Sequence, residues 1–122
     1  MLNDEKDDPQ DLKLRTKTFS LRIIRMYATL PKSDTVAQVL GKQVLRSATS
    51  VGANYREACR GRSKAEFISK VGDSLKEIEE TEYWLDLLTE SGSIKPAKMN
   101  DLLDETRQLI AIFTTICKRA KE

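Results

Sequence analysis

The sequence predicts an all-α protein, an antiparallel up-down-up-down four-helix bundle, and three observations predict it. Leu, Ile, Ala, Lys and Glu are abundant while only 6% of the 122 residues are aromatic and 33% are charged, a balance that favours helices. All three Pro, with Gly61 and Gly92, sit where helices should start or stop. Between those breaks, apolar residues recur at spacings of three, four and seven, the period of a helix with one buried face.

The first helix is expected over 9–30. Asp8 can cap it, Pro9 suits the first helical position and Asp11 the first turn. Leu12, Phe19, Ile23, Tyr27 and Leu30 form its stripe, and Pro31 ends it. The second is expected over 34–60, with a stripe of Val36, Val39, Leu40, Val44, Ala48 and Val51. Gly52 lies inside it, where a glycine costs about 1 kcal/mol relative to alanine, so close helix approach is its expected use. Gly61 is expected to be the left-handed residue that ends it. Ser63 and Glu66 form a capping box that opens a third helix over 64–91. Phe67, Val71, Leu75, Ile78, Leu85 and Leu88 are its stripe, and Ser91-Gly92 its end. A fourth spans 96–121, carried by Met99, Leu102, Leu103, Leu109, Ile110, Phe113 and Ile116. Connections this short make neighbouring helices antiparallel. The expected organisation is one bundle, 9–122, behind an acidic and disordered tail, 1–8.

The net charge of +2 hides an asymmetry. Residues 1–11 hold five acids and one base, a net of −4, so the rest of the chain carries +6. A basic body is compatible with an anionic partner. No apolar run approaches the roughly 18 residues of a membrane span. The first residues are acidic, unlike a signal peptide, so a cytoplasmic protein with two reduced thiols, Cys59 and Cys117, is expected.

Enzyme classes are narrowed by what is missing. There is no histidine, which removes His triads, His general bases and the Glu-x-x-His pairs of di-iron bundles. No glycine-rich phosphate loop is present. Neither a cofactor nor a metal is expected.

Three groups of residues stand out. Arg46, Ser50, Asn54 and Glu57 are spaced four, four and three apart, so they share one face of the second helix. Glu77 and Glu80 recur on the third. Read together they form an internal polar layer that fixes register and partner choice, with a ligand pocket and a solvated face as the alternatives. The basic residues Arg56, Arg60, Arg62, Lys64 and Lys70 surround the turn between helices two and three. They suit phosphate contacts on a nucleic acid, and equally a solvated turn. Leu21, Ile24, Tyr83 and Trp84 fall off the core stripes, and spare apolar surface of this kind marks a subunit interface.

These residues carry a resemblance. The chain resembles the small bacterial four-helix bundle proteins called 23S ribosomal RNA intervening-sequence proteins, from about Asp11 to Ala120. The likeness is densest in RSATSVGANYREACRGRSKAEF, 46–67, and in EIEETEYWL, 77–85. DLKLRTKTFSLRII from Asp11 and LPKS from Leu30 also fit. The chain departs from the wider pattern at Asn54-Tyr55-Arg56-Glu57-Ala58, where the family usually reads Asn-Ile-Ala-Glu-Gly. It also departs at Asp73, where many members have glycine, and at Glu79, where aspartate is commoner. The resemblance implies a ring-like homopentamer without enzymatic activity that binds RNA or DNA. A similar bundle, the accessory protein of diversity-generating reverse transcriptases, implies a protein partner such as a polymerase as the alternative.

Overall fold

Proline and capping residues set the frame of the fold, seen in a computed structural model that describes residues 9–122; the acidic tail expected at 1–8 lies outside the described residues. Pro9 opens α1, Pro9–Ala28, where its missing N–H costs nothing. The helix stops before Leu30 because Thr29 N and Leu30 N turn back to the Met26 and Tyr27 carbonyls at 3.0 and 3.1 Å. Helix α2, Thr35–Cys59, is capped by Asp34, whose Oδ1 accepts from Ala37 N at 3.0 Å. Helix α3, Lys64–Glu90, begins on the capping box: Ser63 Oγ accepts from Glu66 N at 3.1 Å. The Glu66 carboxylate reaches back to Arg62 N at 2.7 Å, one residue before the cap itself. Helix α4, Pro96–Ala120, starts on a proline. No strand occurs among the described residues.

Two local expectations need correction. Gly61 is not left-handed; Gly92, φ +87°, is the one glycine with positive φ among the described residues. Gly61 is tight for another reason, since a Cβ there would stand 3.1 Å from the Ala58 carbonyl oxygen. The stripe of α2 is also rotated at its start. Val36 and Val39 are more than half exposed, and Ala37 and Gly41 hold the core positions instead. Small residues are needed there because Leu30 and Tyr27 press on Gly41, 2.6 and 2.8 Å from where its Cβ would lie.

The helix directions follow from paired contacts. Ser47 meets Thr81, Val51 meets Ser74, and Glu57 meets Lys70; one number rises as the other falls, so α2 and α3 are antiparallel. Gln38 against Tyr27 and Gly52 against Thr16 give the same sense for α1 and α2. Gly52 serves close approach as expected, its Cβ position only 3.0 Å from Thr16 Oγ1. One core runs through all four helices, centred on Phe19, Ile23, Val44, Val51, Val71, Ile78, Leu85, Leu109 and Phe113. Tyr55 and Phe113 meet edge-to-face across it, centroids 5.7 Å apart. The bundle closes between its first and last helices, where Arg15 makes a two-pronged contact with Glu105 at 2.8 and 2.7 Å and donates to Gln108 at 2.8 Å. That carboxylate bond holds the Arg15 guanidinium above its ordinary pKa. The clasp joins residues about 90 apart in the chain, and no local signal in the sequence announces it.

Candidate nucleic-acid interface

The up-down order gathers the start of α1, the end of α2, the start of α3 and the end of α4 at one end of the bundle. Arg60, Arg62 and Lys64 lie there, all exposed and none in an ion pair among the described residues. Exposed Lys118, Arg119 and Lys121 end α4 at the same pole. Among the described residues the acids at this end are Asp11, Glu57, Glu66 and Glu122, and two of them are engaged. Glu66 is spent on the capping box. Glu57 pairs with Lys70 at 2.8 Å; that bond raises the Lys70 pKa and lowers that of Glu57, which nearby Arg60 lowers further.

The five basic residues picked from sequence therefore separate into three groups. Arg60, Arg62 and Lys64 share the turn. Lys70 is tied to Glu57 in an ion pair. Arg56 leaves the turn altogether: its guanidinium faces α1 and donates to the Lys13 carbonyl at 3.4 Å. Helical spacing forces this, since Arg56 sits one position before Glu57, roughly 100° around the helix. Sequence reasoning missed Lys13 and Lys17, which come alongside Arg56 only because α1 packs on α2.

The residues expected to form an internal polar layer are also sorted differently. Arg46 does reach α3, donating to Glu80 and standing 3.5 Å from Glu77. Trp84 Nε1 donates to the same Glu80 oxygen at 3.2 Å. The Arg46 side chain is 53% exposed, so this network is a rim and not an interior layer. Among the described residues Ser50 bonds only to the Arg46 carbonyl of its own helix, at 2.7 Å. Asn54 is half-buried and makes no side-chain hydrogen bond among the described residues, and Glu57 belongs to the turn. The interior polar contacts lie one position inward, on Ser47, Ser74 and Thr81, all fully buried. Ser74 donates to the Val51 carbonyl at 2.9 Å. Short hydroxyls satisfy themselves against nearby carbonyls, which a buried Arg–Glu pair cannot do without large desolvation cost. Glu77 shows that cost. Its Oε2 is sealed from solvent and receives no hydrogen bond among the described residues. Burial, then the neighbouring Glu80, raise its pKa against the pull of Arg46.

Leu21, Ile24 and Tyr83 are 40%, 44% and 58% exposed. Trp84 is half-buried and packs edge-to-face with Tyr83 at 5.1 Å. Among the described residues no cluster of three His, Cys, Asp or Glu could hold a metal ion, and no helix is long and apolar enough to cross a membrane. Both cysteines are free thiols.

The fold and this site define a small all-α bundle with a cationic pole. The chain belongs to the 23S rRNA-intervening sequence protein family, whose model matches residues 10–115. It is similar to a crystal structure of a protein of unknown function from the S23 ribosomal protein family of Bacteroides thetaiotaomicron, at 35% identity and a TM-score of 0.83. The match covers 90% of this chain and 97% of that one. No curated protein matches significantly.

Proposed function

We propose that this chain is a non-enzymatic, cytoplasmic homo-oligomer, a pentamer by family resemblance, that binds structured RNA or DNA through phosphate contacts at its cationic pole. The observation that carries the reading is that Arg60, Arg62 and Lys64 stand exposed without ion-pair partners, among the described residues, at one bundle end. Arginines placed so can grip phosphate oxygens without reading base sequence. Exposed Leu21, Ile24 and Tyr83 support self-association. In a closed ring the pole is repeated, so modest single contacts sum to useful avidity.

The test reverses Arg60, Arg62 and Lys64 to Glu and titrates the protein against structured RNA and DNA in filter binding. The expected result is abolished binding with the oligomer's mass intact. Unchanged affinity overturns the assignment. The second reading, a scaffold that recruits a protein partner such as a polymerase, is favoured by the same exposed apolar residues. Protein partners that stay bound after nuclease treatment would support it.

A further inference from the structure

Three of the clefts lined by described residues differ in their chemistry. The one at the α2–α3 turn, about 360 Å³, is lined by Arg60 and Lys70 and also by the carboxylates Glu57 and Glu66, so its charges balance inside the cleft and any phosphate there is held from its rim. The one at the opposite pole, about 570 Å³, carries Arg25, Lys95 and Lys98 beside a large apolar floor of Met26, Leu30, Pro31 and Ile94, and it lies at the far end of the bundle from Arg60, Arg62 and Lys64. The third, about 300 Å³, lies between α1 and α2 and is lined by Lys17, Ser20, Thr49, Gly52, Ala53 and Arg56. It holds two cations, no acid and no large apolar side chain.

We infer that this α1–α2 groove is a second phosphate subsite, along which the sugar-phosphate backbone of the bound nucleic acid continues from the cationic pole. The inference rests on the nucleic-acid reading above and extends it to a surface remote from the turn. The groove exists because Gly52 brings α2 against Thr16 while Ser20, Thr49 and Ala53 keep its walls low. Neither Lys17 nor Arg56 is in an ion pair among the described residues. The bond of Arg56 to the Lys13 carbonyl is long at 3.4 Å, so it holds the guanidinium only weakly against the pull of an anion. The Ser20 hydroxyl is uncommitted among the described residues and can donate. That of Thr49 cannot, because it already donates to the Leu45 carbonyl at 2.7 Å. Arg60 follows Arg56 and Lys17 follows Lys13 by one turn each, about 5.4 Å of helix. Lys17 and Arg56 stand on opposite banks of the groove, and Arg60 lines the cleft at the turn one helical turn further on, so one strand can engage both places.

The test measures RNA and DNA binding against salt for the full chain and four variants: Lys17→Ala, Arg56→Ala, Ala53→Glu and, as a charge-matched control outside the groove, Lys76→Ala. Each of these positions is exposed, so the fold is expected to persist, and circular dichroism checks it. Removal of one phosphate-binding cation should lower the slope of log K against log salt by about 0.7–0.9. The expected result is that Lys17→Ala and Arg56→Ala each lower the slope and weaken binding several-fold. Ala53→Glu should weaken it more, and Lys76→Ala should leave the slope unchanged. If the groove variants match the Lys76→Ala control while reversal at Arg60, Arg62 and Lys64 still abolishes binding, the groove is not a subsite and the pole alone binds. If the unmodified protein binds no nucleic acid at any salt, both readings fall together.

Discussion

The Ser47 and Thr81 hydroxyls meet 2.8 Å apart at the fully buried contact between α2 and α3. Thr81 has one hydroxyl hydrogen, and its oxygen lies 2.8 Å from the Glu77 carbonyl four residues back. With that hydrogen donated to the carbonyl, Ser47 must donate to Thr81, and the pair becomes a directed chain that locks one helix against the other.

Removing either end of that chain should cost stability out of proportion to the atoms removed. Thr81→Val and Ser47→Ala are each expected to destabilise by about 1–2 kcal/mol, because a buried polar group is left without its partner. The double variant should cost less than the two singles combined, with a coupling of at least about 0.5 kcal/mol. Urea unfolding of the four proteins measures it, and strictly additive effects would show that this hydrogen bond does not couple the helices.

The raised pKa of Glu77 has a defined consequence for pH dependence. The folded protein holds this proton more tightly than the unfolded chain does, so its contribution to stability is present below the ordinary value of 4.5 and is lost as pH rises through the raised one. Glu77→Gln carries no such titration. The melting temperature of Glu77→Gln relative to the unmodified protein should therefore climb as pH rises from the ordinary value of 4.5 and level off above the raised one. A difference that instead climbs on acidification would mean that Arg46 dominates and the carboxylate is stabilised by folding.

Leu21 and Ile24 lie on the outer side of α1 and add little to the core of a single chain. Leu21→Glu with Ile24→Glu should change the stability of the separated bundle by no more than about 0.5 kcal/mol each, as surface positions do. If they form the subunit contact, the mass in solution should fall toward that of one chain while helicity is kept. An unchanged mass by light scattering would remove α1 from the interface and leave Tyr83 on α3 as the next surface to test.

The four helices were legible in the sequence because their signals are local: Pro9, Ser63, Glu66 and Pro96 act within one turn of their own backbone, whereas the left-handed end expected at Gly61 did not form. The stripes of α1, α3 and α4 were legible in the same way, since the helical period fixes which residues share a face. The rotation at the start of α2 was not, because Val36 and Val39 are as apolar as any core residue. Only the pressure of Tyr27 and Leu30 on Gly41 selects the neighbouring face. The polar residues show the same division. That Arg46, Glu77 and Glu80 belong together could be read from spacing, but whether they are interior or rim depends on how closely α2 and α3 approach. That closeness is set by Ser47, Ser74 and Thr81, small residues with no distinctive pattern.

The fold class, the helix limits to within a few residues and the excess of cations near the α2–α3 turn were all determined by the chain's own order of residues, because periodicity, capping and charge are local properties. Packing in three dimensions decided which of those cations remain unpaired and which way each one faces. It tied Lys70 to Glu57, sent Arg56 across to Lys13 and Lys17, and closed the bundle with Arg15 on Glu105. The reason is that side-chain direction on a helix is fixed by rotation about its axis. What a side chain meets is fixed only when a second helix, distant in sequence, packs beside it.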